Sequence, residues 1–273
     1  LDLLSRFDAR MPATHAVHLV QIDSVWEDRA ANHAKAWQLI ASAAPQPGSL
    51  IILPEMFATG FSMNVSLTAE AAEAAPTEQF LRETAVRHEC TVIGGLVTRS
   101  SGGRGLNQAL AIAPDGGLLA RYTKNRPFSL GGEDQVHQAG TEVVVFEWQG
   151  LKIAPLICYD LRFPELARQA VRTGAEVLVY IAAWPARRFQ HWITLLQARA
   201  IENQAYAIGV NRCGTDPQFS YSGRSLIADP HGIVIADAGE QEHVVSTLLA
   251  PAVVREWRAQ FPALRDAGGM TRD

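Results

Sequence analysis

The residues with the clearest chemical potential lie in Leu156-Ile157-Cys158-Tyr159-Asp160-Leu161-Arg162-Phe163-Pro164-Glu165. An apolar run, Ile153 to Ile157, breaks at a cysteine, and a helix is expected to open at Pro164, where a proline suits the first turn. That layout presents a thiol at a strand-to-helix turn, with the next backbone N–H able to point at the reaction. The chemistry it suggests is cysteine-based acyl transfer. A cysteine taken at random is more often a packed core residue. Cys90 and Cys213 are read that way, whereas the polar sequel Tyr-Asp-Leu-Arg sets Cys158 apart.

A cysteine nucleophile needs a group that takes its proton and returns it to the leaving amine. Glu55, in Leu50-Ile51-Ile52-Leu53-Pro54-Glu55-Met56-Phe57, stands just beyond an apolar strand, where α/β proteins place functional groups. Lys124 follows the strand-like run Leu118–Thr123. A cation there would favour the thiolate and meet a developing oxyanion. Glu133 sits beside Gly131-Gly132, a pair that could let backbone and carboxylate approach a site but carries no phosphate-binding pattern. A Cys–His pair is the alternative, since partners of a nucleophile come from distant positions; His191, opening an expected helix, would be the candidate. No Gly-x-Ser-x-Gly occurs, and Tyr221 to Ser225 reads as the entry to a strand.

Short β-rich runs alternate with amphipathic stretches and must position these groups. Strands are expected at 16–22, 49–53, 91–97, 107–113, 118–123, 142–147, 151–157, 176–181, 205–211, 224–229, 233–238 and 243–248. Helices are expected at 27–43, 77–89, 164–173, 192–203 and 251–260. Asp115-Gly116-Gly117 and Pro230-His231-Gly232 read as hairpin turns. The alternation predicts an α/β fold with a mixed sheet or two sheets and helices on the outer faces.

Composition narrows the rest. Hydrophobic residues make up 48% of the 273-residue chain, enough for a large core, and no long linker divides it, so one domain is expected over 1–273. A net charge of −4 gives no nucleic-acid footprint. No apolar run reaches the roughly 18 residues of a membrane span, and Leu1 to Ala13 lack the apolar core of a secretory signal. The chain opens on Leu1 rather than Met, so a trimmed start is expected. Three scattered cysteines suit neither a disulfide framework nor zinc, and a reducing cytoplasm is the expected compartment.

Taken together, the motifs resemble the nitrilase (carbon–nitrogen hydrolase) superfamily. Glu55 at a Pro-Glu strand end, Lys124 after a strand, and Cys158 in Cys-Tyr-Asp-x-Arg-Phe-Pro-Glu match that family's Glu–Lys–Cys triad in order. Glu133, before Gln138-Ala139-Gly140, takes the place of its auxiliary glutamate. The similarity continues through His191-Trp192, Gln197 to Tyr206, Ser222 to Ser225 and Asp229 to Gly232, covering about Ala16 to Leu249, with residues 250–273 as a C-terminal tail. Within the family, Pro54 to Met63 and Ala183-Trp184-Pro185-Ala186-Arg187-Arg188 resemble the omega-amidases, which hydrolyse 2-oxo acid amides such as 2-oxoglutaramate and 2-oxosuccinamate.

The resemblance implies a four-layer αββα sandwich, a homodimer, a small amide substrate, and no metal or organic cofactor. It implies that Glu55 takes the Cys158 proton, that Lys124 and the Tyr159 N–H hold the oxyanion, and that Glu133 assists the water step. A short substrate with a carboxylate at its far end would need a cation; Arg162 is the first candidate and Arg188 the second, with Trp184 as an apolar wall. A deaminated glutathione amidase, a nitrilase, a carbamoylase or a non-catalytic scaffold are the competing readings. One departure stands out: the family's usual Lys-x-His-Leu-Phe is Lys124-Asn125-Arg126-Pro127-Phe128 here, which could change substrate preference if Arg126 lay beside the pocket.

Overall fold

The structure, a computed structural model, describes residues 13–71 and 75–267. The chain start discussed above and residues 268–273 lie outside them. Two sheets stack face to face. The first runs in the order His243–Leu249, His15–Gln21, Leu50–Ile52, Thr91–Arg99, Gly105–Ile112, Leu118–Thr123, with Ala69–Glu70 paired beside Thr91–Arg99. The second runs Val234–Asp237, Leu226–Ala228, Tyr206–Asn211, Val177–Ala182, Leu151–Ile157, Phe146–Trp148. Each sheet has three parallel central strands and antiparallel flanks, apart from the short parallel pairing of Ala69–Glu70 with Thr91–Arg99.

Side-chain alternation explains the layering. In Leu50-Ile51-Ile52-Leu53, Leu50 and Ile52 join the large core shared with the second sheet, while Ile51 and Leu53 join a separate core under the helices. Helix Arg29–Ser42 buries Asn32, Ala36 and Ile40, a stripe at four-residue spacing. Asp28 caps it by accepting the Ala31 N–H at 3.0 Å. Helix Pro76–His88 covers the same face with Phe80, Leu81 and Ala85. Helices Pro164–Arg172 and Phe189–Asn203 cover the second sheet with Leu166, Ala167, Leu196 and Ala200. The result is the expected αββα sandwich.

Most expected elements appear within two or three residues of their bounds. Three differ. The strand expected at 142–147 begins only at Phe146, because Glu142 turns its carbonyl to Asn125 Nδ2 (3.3 Å) instead of a neighbouring strand. The helix expected from Trp192 starts at Phe189, so His191 lies inside its first turn. Tyr221 belongs to a separate hairpin, Cys213–Thr215 with Ser220–Ser222, rather than to the entry of strand Leu226–Ala228. After Leu249, helix Pro251–Gln260 and the turn Ala263–Asp266 pack Val254 and Leu264 into the main core. Among the described residues no helix is long and apolar enough to cross a membrane.

Candidate active site

Strand ends from both sheets converge at one place. Glu55 follows Leu50–Ile52, Lys124 follows Leu118–Thr123, Cys158 follows Leu151–Ile157, and Ala183-Trp184 follow Val177–Ala182. Each group follows the carboxyl end of a strand, the edge where α/β sheets form their sites. Close backbone approach makes two glycines necessary. A Cβ on Gly95 would stand 2.7 Å from both Glu55 Cα and Met56 N. A Cβ on Gly140 would collide with the Thr123 carbonyl, just where the Gly140 N–H reaches the Lys124 carbonyl at 2.8 Å.

The charged groups form one buried cluster. Lys124 Nζ donates to Glu55 Oε1 and to Glu133 Oε2, each at 2.8 Å. Asn107 Nδ2 donates to Glu55 Oε1 and to Glu133 Oε1, each at 2.7 Å. The Ala183 N–H reaches Glu55 Oε2 at 2.9 Å, and the Phe128 N–H reaches Glu133 Oε2 at 2.6 Å. Every carboxylate oxygen thus has a donor, which is the condition for burying such charges. Burial works against the Lys124 charge; Glu133 and Glu55 together outweigh it and hold the ammonium charged well beyond the ordinary lysine range. Burial opposes ionisation of Glu133, but Lys124, the Phe128 N–H and Asn107 prevail and keep it below the usual carboxylate range.

Cys158 faces this cluster from the other sheet. Its φ is +46°, the left-handed region that a side chain enters only under constraint. It opens a 3₁₀ turn, Cys158–Arg162, whose first N–H groups, including that of Tyr159, have no partner within the turn. Burial, then the Glu55 charge, pushes the thiol well above its ordinary value, while Lys124 and the Ala183 N–H pull the other way. The resting group is therefore a thiol, and its ionisation has to be coupled to a nearby acceptor.

A small pocket opens above Cys158. Phe61, Phe128, Trp184 and Phe219 form apolar walls, and Arg162 and Arg188 bring charge. The Arg162 guanidinium lies 4.7 Å above the Trp184 ring, with Nη2 3.3 Å from His191 Nδ1. Arg188 lies 5.4 Å from the Phe128 ring, and Trp184 Nε1 fastens the Arg188 carbonyl at 2.8 Å. Burial and the neighbouring Arg187 and Arg162 charges hold Arg188 below the usual guanidinium range. No acid stands among the residues that line this pocket.

The structure therefore brings together Glu55, Lys124, Glu133 and Cys158, and gathers Tyr159, Arg162, Trp184 and Arg188 around the space above the thiol. It does not bring His191 to Cys158; that ring packs against Arg162 instead. Nor is Arg126 among the residues lining the pocket. Its guanidinium sits over Phe163, 3.5 Å from Glu165, while its backbone N–H is used by Asp160. Sequence reasoning missed Asn107, which bridges both glutamates; the polar pair Asn107-Gln108 inside strand Gly105–Ile112 was the available signal. Phe219 was missed too, because only the unforeseen hairpin carries it to the pocket.

The chain matches the carbon–nitrogen hydrolase family model over residues 16–259. It is similar to the omega-amidase YafV of Yersinia enterocolitica, 40% identical, over 93% of this chain and 97% of that one. It is also similar to the 2-oxoglutaramate amidase of Bacillus subtilis (strain 168), 34% identical over 80% of this chain and 84% of that one. Among solved structures, XC1258 from Xanthomonas campestris superposes with a TM-score of 0.88 at 36% identity, covering 96% of this chain and all of that one. That protein is described as a CN-hydrolase superfamily member with an arsenic adduct in its active site.

Proposed function

The chain belongs to the carbon–nitrogen hydrolase family and is a hydrolase acting on amides, and from that premise we propose that it takes the terminal amide of 2-oxo acid amides. The substrates would be 2-oxoglutaramate and 2-oxosuccinamate, released as the 2-oxo acid and ammonia. The observation that carries this reading is the pocket above Cys158: short, walled by aromatic rings, with two arginines and no acid. Neither guanidinium has a carboxylate within ion-pair distance among the described residues, so a structural ion pair does not account for Arg162. The carboxylate of a short substrate supplies the missing anion, with its amide directed down to the thiol. The relatives named omega-amidase and 2-oxoglutaramate amidase support the same class.

This geometry supports the following steps. Glu55 accepts the Cys158 proton as sulfur attacks the amide carbon. Lys124 Nζ and the Tyr159 N–H stabilise the oxyanion. As the C–N bond breaks, Glu55 passes the proton to the departing amine, giving ammonia and a thioester. Water then loses a proton to Glu55 and attacks the thioester; the carbon–sulfur bond breaks, the acid leaves, and the thiol recovers its proton. Glu133 stays ionised through these steps, holding Lys124 directly and Glu55 through Asn107.

Ammonia release from a panel of 2-oxo amides, simple amides and nitriles tests the substrate class; preference for simple amides or nitriles would overturn it. Arg162→Lys keeps the charge but loses the paired donors. Loss of one charge-assisted hydrogen bond is worth about 1.5–3 kcal/mol, so KM for 2-oxoglutaramate should rise roughly tenfold or more, with kcat less affected. An unchanged KM would remove Arg162 as the carboxylate clamp.

Two further features belong to the same proposal. Family resemblance supports a homodimer, and exposed Ile201 and Ile233, which flank the turn at Gly232, offer apolar surface for one. Light scattering that gave a monomer at micromolar concentration would overturn it. Three unbridged cysteines support a cytoplasmic setting.

A further inference from the structure

Two residues past the thiol, Asp160 is completely buried and met by three donors. Its Oδ2 accepts the Ile157 N–H (2.9 Å) and the Tyr122 hydroxyl (2.7 Å), and its Oδ1 accepts the Arg126 N–H (2.9 Å). Ile157 immediately precedes Cys158 in the second sheet. Tyr122 and Arg126 bracket Lys124 at the end of the last strand of the first sheet. Tyr122 also accepts the Asn125 N–H at 3.3 Å, extending the grip along that segment. One carboxylate therefore holds the backbone on both sides of the gap between nucleophile and lysine. The left-handed φ of Cys158 needs such outside support.

We propose that Asp160 is a positioning residue, whose carboxylate latches the Cys158 turn onto the Lys124 segment and so sets the thiol-to-ammonium geometry on which the reaction depends. It touches neither substrate nor reacting atoms. The proposal rests on the cysteine chemistry above but not on which amide is the substrate.

The latch requires an acceptor-only group, because all three partners present hydrogens. In Asp160→Asn, whichever way the amide turns, its NH₂ opposes the N–H of Ile157 or of Arg126. A protonated acid carries one hydrogen too many for the same three partners, so one of the three bonds is lost. Burial pushes the Asp160 carboxyl up to about 7, against the Ile157 N–H, the Tyr122 hydroxyl, the Lys124 charge and the Arg126 N–H. The groups around it are Tyr122 and Lys124 from the first sheet, Tyr180 from the neighbouring strand and Cys158 on its own turn. Arg199, from helix Phe189–Asn203, holds the Leu161 carbonyl at 2.7 Å. Burial keeps both tyrosines and the thiol protonated through neutrality, and Lys124 stays charged. The latch therefore opens as pH falls through about 7. The stability sign is opposite. A carboxyl raised in the folded state contributes stability below its unfolded value and loses it as pH rises to its folded one. Acidification from pH 8 to 6 should thus lower thiol reactivity while raising Asp160's own contribution to stability, a pairing that a purely structural role would not produce.

The test is the rate of iodoacetamide alkylation at Cys158, read by peptide mass between pH 5.5 and 9, for wild type, Asp160→Asn and Tyr122→Phe, with amide turnover alongside. Wild type should show a break near pH 7, falling more steeply below it by one further proton. Asp160→Asn should react about tenfold or more slowly at pH 8 and show no break, with kcat down and KM within about threefold. Tyr122→Phe removes a donor that lowers the Asp160 value, so its break should move up by about half a pH unit or more. Asp160→Asn rates within about threefold of wild type across the range, or a break unmoved in Tyr122→Phe, would overturn the proposal. If Asp160→Asn does not fold, Tyr122→Phe decides alone. Alkylation needs no amide, so an error in the substrate class leaves the result readable.

Discussion

Replacing Cys158 with Ala is expected to cut amide turnover by at least about 10⁴-fold, the scale seen when a covalent nucleophile is deleted. The same change should leave the thermal midpoint within a few degrees. Both halves follow from the position of the thiol. It lies at the floor of an open pocket, so its loss widens that pocket rather than leaving a sealed cavity in the core. Its φ of +46° costs an alanine no more than a cysteine, since both carry one Cβ. What disappears is the sulfur, the group placed to bond the amide carbon, and none of Glu55, Lys124 or Glu133 can take over that bond. Initial-rate measurement of ammonia release, with unfolding followed by circular dichroism, checks the two halves. A variant that kept more than about 1% of turnover would remove Cys158 as the nucleophile. One that lost stability by several kcal/mol would show that the turn depends on the thiol itself, contrary to its placement.

The three residues proposed as a triad were legible because each stands at or just past the end of a strand readable in the sequence. A strand is visible as a run, and the first polar residue past its carboxyl end in an α/β protein has a high chance of facing the site. Glu55, Lys124 and Cys158 all satisfy that condition. Asn107 does not: it lies within strand Gly105–Ile112, where local sequence cannot say that its side chain would meet two glutamates from other parts of the chain. Asp160 was visible only as a motif letter. Its function depends on donors 38 and 34 residues away on another sheet, which spacing does not encode. Arg126 shows the converse. The residue type invited a substrate role, but the structure uses its backbone N–H and leaves the guanidinium beside Phe163 and Glu165. The hairpin bearing Phe219 escaped notice because its strands are three residues each, too short for periodicity.

Lys124→Met should remove turnover and destabilise the fold, a combination that Cys158→Ala lacks. Methionine fills nearly the same volume, so packing against Phe61, 5.3 Å from the ammonium, changes little. The charge is the difference. Lys124 is the cation between Glu55 and Glu133, whose side chains are completely buried. Breaking a buried ion pair by removing one partner costs about 3–5 kcal/mol, because the remaining charge is left without compensation. For a chain of this size that corresponds to a fall of roughly 6–15 °C in thermal midpoint. The pH dependence identifies the cause. In wild type the Glu133 carboxyl is held below its usual range, so its stabilising contribution is present above the unfolded value and fades only as pH falls through the depressed one. Without Lys124, burial dominates and lifts the folded value above the unfolded one. Protonation then relieves the variant as pH falls. The stability gap between wild type and Lys124→Met should accordingly be widest at pH 7–8 and narrow toward pH 5, measured by urea unfolding at each pH. A gap of constant size would mean that methionine packs badly and that the buried charges are not what Lys124 answers. Turnover should stay absent even at pH 5, where the fold recovers. Protonated carboxyls no longer need the ammonium, but a negative charge developing on the substrate oxygen still does.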